Sequence, residues 1–145
     1  MKIDIQRIHN TEESGFDKAL QLRYRVFVHE QGVPFEIERD EDDDKAIHVI
    51  ADHGGKTVGC GRIVFKDSTG KIGRVAVARS HRNKGVGSRV CLELMKIAEE
   101  EGCQKVVLHA QVSSEDFYKT LGFKSIGERF MEADIEHIKM IQNLK

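Results

Sequence analysis

Apolar positions nearly alternate at the start of the chain. Ile3, Ile5 and, after Arg7, Ile8 mark the stretch from Lys2 to Ile8 as a strand. The period then lengthens. Phe16, Leu20, Arg23, Tyr24 and Phe27 follow at spacings of three and four, with Glu12 and Glu13 suited to a first turn after Thr11. This predicts an amphipathic helix that ends near Glu30, ahead of Gly32 and Pro34, because proline disfavours helix at the residue before it. Beyond an acidic stretch at 36–44, Ile47–Ala51 and Thr57–Phe65 read as strands around the turn His53-Gly54-Gly55-Lys56. Asp67–Gly70 reads as a second turn and Ile72–Ala78 as a further strand of the same meander. The clearest helix follows: Val86, Val90, Leu94, Ile97 and Ala98 line one face, Glu93, Lys96, Glu99 and Glu100 the other, and Gly102 marks its stop. Lys105–Ala110 is a short apolar strand. Ser113–Asp116 has the form of a capping box, opening a helix through Phe117, Tyr118 and Leu121 that stops at Gly122. Phe123–Arg129 and Ile135–Gln142 are the last two strands. With no repeat, linker or low-complexity segment, the pattern predicts one mixed α/β domain over residues 1–145.

Composition removes several function classes. The net charge is −1 and the basic residues are scattered, so no nucleic-acid partner is expected. No apolar run approaches the ~20 residues of a membrane span, and the alternating N-terminus lacks the apolar core of a signal peptide. Cys60, Cys91 and Cys103 are widely spaced without a CxxC pair, which points to reduced thiols in a cytoplasm rather than a disulfide framework or zinc knuckle. The 7 histidines lack metal-ligand spacing, so no metal is expected. Other motifs fail in detail. A calcium loop starting at Asp40 would have Lys45 where glycine is needed and Ala51 where glutamate is needed. Gly55-Lys56-Thr57 has Ile50 in place of the first P-loop glycine, and Gly59-Cys60-Gly61 has Val64 in place of the third dinucleotide glycine. No GxSxG elbow supports a serine hydrolase.

The chemistry concentrates in Arg74-Val75-Ala76-Val77-Ala78-Arg79-Ser80-His81-Arg82-Asn83-Lys84-Gly85-Val86-Gly87, where a strand runs through a turn into the long helix. Glycines at 85 and 87 let a ligand approach the backbone. The free amides of the first helical turn, with the helix dipole behind them, make an anion site of a size that suits a pyrophosphate. Arg82 and Lys84 add charge for phosphate oxygens. Alone, this fragment also fits an ordinary strand-to-helix turn.

Arg82-Asn83-Lys84-Gly85-Val86-Gly87, followed later by Phe117-Tyr118-Lys119-Thr120-Leu121-Gly122-Phe123, resembles the GNAT superfamily of acyl-CoA N-acyltransferases, and the order of elements agrees over nearly the whole chain. Tyr24-Arg25-Val26-Phe27-Val28-His29-Glu30-Gln31, the acidic loop, Ile72-Gly73-Arg74-Val75 and Glu136-His137 further resemble its small bacterial ElaA-like branch. The resemblance implies a splayed, mostly antiparallel sheet of about seven strands, with a central βαβ acyl-CoA-binding unit flanked by helices. It implies acetyl-CoA as cosubstrate, with Val75, Ala76 and Val77 at the pantetheine arm. The loop residues Arg82 and Asn83 and the amides of Lys84, Gly85, Val86, Gly87 and Ser88 would serve the pyrophosphate. Tyr118 stands where the family places the general acid that protonates the departing thiolate; a half-buried packing role is the competing reading. Many relatives carry a glutamate base on the fourth strand where this chain has Arg74, and arginine cannot accept a proton. Any base lies elsewhere, and pairing with a carboxylate is the expected role of Arg74.

Glu30 and His109 are candidates for catalysis, His48 and His137 for substrate binding, each against a bland alternative as a surface carboxylate or a satisfied sheet histidine. The acidic loop 36–44 is either a solvated, disordered segment or a lip that draws in a cationic amine. The expected reaction is acetyl transfer from acetyl-CoA to a primary amine, on a small molecule or a protein, by direct attack. A catalytically silent acyl-CoA-binding sensor is the alternative, and an interaction domain a third. A homodimer is compatible with the sequence, and the acceptor is not specified by it.

Overall fold

The computed structural model describes residues 1–144. Among them a seven-stranded sheet runs in the order β1-β2-β3-β4-β5-β7-β6, with every neighbouring pair antiparallel except β4–β5. The strands are β1 (Asp4–Ile8), β2 (Ile47–His53), β3 (Lys56–Lys66), β4 (Thr69–Val77), β5 (Lys105–Gln111), β6 (Lys124–Glu132) and β7 (Ile135–Asn143). The helices are α1 (Ser14–Arg23), the short α2 (Phe35–Glu38), α3 (Val86–Glu100) and α4 (Glu115–Thr120). No helix among the described residues is long and apolar enough to cross a membrane.

Val86, Val90, Leu94, Ile97 and Ala98 of α3 are buried, as the predicted stripe requires. The helix lies so close to β3 that a Cβ on Gly59 would sit 2.6 Å from Val86 Cγ1, which is why no side chain is tolerated there. Two turns differ from expectation. The β3–β4 hairpin closes over Asp67-Ser68, with Asp67 at φ +56°, so β4 begins three residues early. The β6–β7 hairpin closes over Ala133-Asp134, both at positive φ as a type I′ turn requires, and this carries β6 past Arg129 to Glu132. The predicted first helix also changes character. It widens into π geometry over Tyr24–Glu30, which buries Val26 and brings Phe27 to the edge of a cleft.

The acidic stretch is ordered, so its expectation as a solvated, disordered segment is corrected. Asp40 and Asp43 cap the 3-10 turn Glu41–Asp44 reciprocally. Glu38 and Asp43 are buried at 2% and 0% exposure, which demands partners. Arg23, itself 1% exposed, supplies them: Nε meets Glu38 Oε2 at 2.9 Å and Nη1 meets Asp43 Oδ1 at 2.7 Å. Arg62 bridges Asp40 at 2.6 Å and Asp43 at 2.8 Å, while Arg74 bridges Glu38 at 3.0 Å and Asp40 at 3.1 Å. Arginines from α1, β3 and β4 therefore pin the acidic segment against the sheet. Burial pushes the Asp43 carboxyl up, but hydrogen bonding and charge from Arg23 outweigh it and bring its pKa down to about 2.

Removing one member of such a network leaves buried charge uncompensated, so Arg23→Met is expected to cost about 3–5 kcal/mol in urea unfolding at neutral pH. A loss below ~1 kcal/mol would show that the network is dispensable. The folded pKa of Asp43 near 2 lies below the ordinary ~3.9, so its contribution is complete above pH ~4. Stability of the parent should fall as pH drops from there towards 2.

Candidate active site

The parallel ladder between β4 and β5 runs only from Thr69–Ile72 against Lys105–Leu108. On the other edge of β4 the register explains the divergence. Cys60 pairs with Ala76 and Arg62 with Gly73, so Gly61 faces both Arg74 and Val75 across a β-bulge, with Arg74 at φ +52°. A bulge bends its strand. Past Ile72, β4 leans away from β5 and its free edge from Gly73 to Val77 lines a cleft of about 850 Å³. That volume suits a small-molecule site. The opposite wall carries Leu108, His109 and Gln111 of β5 with Phe117 and Tyr118 of α4.

One end of the cleft is the turn into α3. Asn83 and Gly85 take positive φ, and α3 opens at Val86 with the Arg89 amide donating to the Gly85 carbonyl at 3.1 Å. The amides of residues 85–88 precede that bond and have no acceptor within the helix. A Cβ on Gly87 would stand 3.3 Å from Phe117 Cζ and 3.5 Å from Val77 Cγ2, so the glycine keeps the approach narrow but open. The two cations of this turn have partners within the chain. Arg82 Nε donates to the Val77 carbonyl at 3.0 Å and Nη1 pairs with Glu30 at 2.9 Å, and Lys84 Nζ donates to the Ser80 carbonyl at 3.3 Å. Arg82 and Lys84 thus shape the loop, and Arg82 also lines the cleft.

Tyr118 is 8% exposed, its ring edge-on to Phe117 and Phe123. Burial, with Cys91 beside it, pushes the phenol pKa up, so the hydroxyl stays protonated at neutral pH. The packing role and the cleft-facing role therefore coincide in one residue.

The remaining candidates separate. Glu30 lies outside the cleft lining, bound to Arg82 and to Arg79 at 3.3 Å. Arg82's hydrogen bond holds its pKa below the ordinary carboxylate range, which makes Glu30 a poor proton acceptor and an anchor for the loop. His48 is corrected as a substrate contact: it is 1% exposed, packs edge-on against Phe16, and its Nε2–H donates to the Asp43 carbonyl at 3.0 Å. Burial lowers its pKa, so it is a neutral core residue supporting the acidic segment. His109 and His137 do come together on the cleft wall, both beside Glu132. His109 Nδ1 is 3.2 Å from Glu132 Oε1, and His137 Nε2 is 3.7 Å from Glu132 Oε2. Glu132 was not identified from sequence, because β6 was expected to end at Arg129; the turn pair Ala133-Asp134 was the available signal. Gln111 Nε2 also donates to Gln31 Oε1 at 2.7 Å, linking β5 to the π-helical segment.

A family model described as the acetyltransferase (GNAT) family matches residues 8–123. The uncharacterized N-acetyltransferase YjcF of Bacillus subtilis is 38% identical over 132 residues, covering 90% of this chain and 94% of that protein. The crystal structure of Escherichia coli ElaA superposes with a TM-score of 0.88 at 29% identity, covering 98% of this chain and 100% of that one. An acyl-CoA N-acyltransferase from Pseudomonas aeruginosa gives a TM-score of 0.86 at 29% identity over 97% of this chain and 99% of that one.

Replacing Gly87 with valine adds methyl groups where even a Cβ is tight against Phe117, narrowing the approach to the amides. Gly87→Val is expected to abolish acetyl-CoA binding in titration calorimetry while the protein keeps a cooperative melt. Parent-like affinity in that variant would reduce the glycine to a turn residue.

Proposed function

The chain belongs to the GNAT acetyltransferase family, and on that premise we propose that it moves an acetyl group from acetyl-CoA to a primary amine by direct attack. Membership gives the reaction class, acyl transfer from an acyl-CoA cosubstrate, and the amine acceptor is part of the proposal. The acetyl group, the primary amine and the single-step course are our own reading. The observation that carries it is one cleft bordered by the free edge of β4, the unpartnered amides of residues 85–88 and the Tyr118 side chain.

A strand edge without a neighbour exposes backbone donors and acceptors, and an extended ligand arm can take the place of the missing strand. Val75, Ala76 and Val77 would offer those groups to the pantetheine amides, and the amides from Lys84 to Ser88 would hold the pyrophosphate. In the reaction the amine nitrogen forms a bond to the thioester carbonyl carbon and the carbon–sulfur bond breaks. The amine gives up a proton, and the departing sulfur receives one from the Tyr118 hydroxyl. Burial keeps that hydroxyl protonated and also makes it a weaker acid, so the transfer relies on its hydrogen bond strengthening as charge develops on sulfur. Ile37, Glu38, Asp40 and Asp42 border the cleft from the acidic segment. With Glu38 and Asp40 paired to arginines, Asp42 and Glu132 are the more exposed carboxylates there, and they support an amine-bearing acceptor, small molecule or protein. A silent acyl-CoA sensor would need the amide cradle alone; a proton donor and a histidine pair on the same cleft support the enzyme.

Tyr118→Phe removes one oxygen and keeps the ring packing. Acetyl-CoA affinity should be nearly unchanged while kcat falls by about 10²–10⁴-fold, as expected for loss of a general acid. A variant that turns over as fast as the parent makes Tyr118 structural.

A further inference from the structure

Proton removal from the amine is the part of the reaction without an assigned residue. Arg74, at the position where a carboxylate base would serve, is committed to Glu38 and Asp40. The carboxylates of Glu38, Asp40 and Asp43 each meet at least one guanidinium within 3.0 Å. His81, the histidine at the α3 end, has both ring nitrogens engaged: Nε2 lies 2.8 Å from His53 Nδ1, and Nδ1 lies 2.8 Å from Ser80 Oγ. His109 differs, because only Nδ1 has a partner among the described residues.

Resting on the transfer reading above, we propose that Glu132 positions His109 as the proton acceptor for the attacking amine. The contact is chemically directional. An ionised carboxylate only accepts hydrogen bonds, so the 3.2 Å approach of Glu132 Oε1 to His109 Nδ1 places the ring proton on Nδ1. The lone pair is then on Nε2, the nitrogen without a protein partner. His109 stands on β5 one residue beyond Leu108, where the ladder with β4 has ended, and so on the wall of the open part of the cleft.

The ring is held on a second side. Phe130 meets His109 edge-on, with centroids 5.0 Å apart at 79°, and stacks on His137 at 5.9 Å and 24°. His137 also has an unpartnered Nε2, but its side chain is 9% exposed against 28% for His109, and it does not compete as a donor to the same carboxylate. Its Nδ1 lies 2.7 Å from the Ile135 carbonyl, which cannot donate, so its proton is fixed there, and Nε2 faces Glu132 Oε2 from 3.7 Å, beyond hydrogen-bond reach. Glu132 itself is the last residue of β6, set by the Ala133-Asp134 turn. The other charges around this group are Lys139, opposite His109 in the β5–β7 register, and Lys71, on the β4 side of the cleft. In the step, the amine N–H bond breaks as the nitrogen–carbon bond forms, and His109 Nε2 takes the proton. The carboxylate of Glu132 then faces an imidazolium.

Two readouts test the assignment on the full-length protein. Imidazole 15N NMR should show His109 with Nδ1 protonated and Nε2 bare in the parent, with that preference lost in Glu132→Ala. Kinetics with acetyl-CoA and a set of probe amines (a diamine, an amino sugar, an amino acid ester and a peptide N-terminus) should show His109→Gln lowering kcat by about 10²–10⁴-fold. Glu132→Ala should lower kcat by roughly 10–100-fold, the range found when a carboxylate that orients a metal-bound imidazole is removed. The double variant should be no slower than His109→Gln alone, because Glu132 acts through the ring, and acetyl-CoA affinity should hold throughout. An Nε2–H tautomer in the parent, or fully additive losses in the double variant, overturns the proposal. An acetylating parent whose His109→Gln form is equally fast sinks the proposal and leaves the transfer reading standing. A parent that acetylates none of the amines overturns the transfer reading, and the role of His109 with it.

Discussion

The site depends on where the β4–β5 ladder stops. A parallel pair that continued past Ile72 and Leu108 would satisfy the edge of β4 with the edge of β5 and leave no opening in the sheet. The bulge of Arg74 and Val75 against Gly61 turns β4 aside at that point. Backbone groups that would otherwise belong to the ladder become the walls of the cleft, and α3 delivers its unpaired amides at one end of it. The opening is thus a consequence of strand geometry, and no moving part is needed to create it.

The bulge is in turn stabilised by charge. Arg74 sits in a left-handed conformation that an arginine adopts only when its surroundings demand it, and its guanidinium reaches Glu38 and Asp40. Those carboxylates belong to a segment that Arg23 and Arg62 also hold. Desolvating so many charges is costly, so the network is weak evidence for net stability. What it does provide is definition: a polar chain segment is fixed as one rim of the cleft beside the strained residue. Glu30 does similar work at the other end, anchoring Arg79 and Arg82 around the turn into α3.

Much of this was legible in the sequence, for identifiable reasons. Periodicity located the helix of Val86, Val90 and Leu94 and the strands around it, because local spacing and burial face are coupled. Glycines at 85 and 87 located the amide cradle, because that geometry is carried within a few consecutive residues. What local patterns could not show was long-range pairing. The acidic stretch looked solvated because its partners Arg23, Arg62 and Arg74 are distant in sequence, and His48 looked available because its contact with Asp43 depends on the same fold. Glu132 was hidden for another reason: the expected strand ends at Arg129, and the Ala133-Asp134 turn that carries β6 on to Glu132 lacks the glycine that commonly marks such a hairpin. The likeness to relatives could not supply the acceptor, because one scaffold is shared by many chemistries and specificity belongs to the individual site.

The central claim is that the free edge of β4 and the first turn of α3 together receive acetyl-CoA. Residue-resolved amide hydrogen exchange, with and without acetyl-CoA, tests it at the atoms concerned. The account predicts slowed exchange at Val75–Val77 and at Lys84–Ser88, while the β1–β2 end of the sheet remains unchanged. Binding that leaves both of those segments unprotected, or protects another surface in their place, would contradict it.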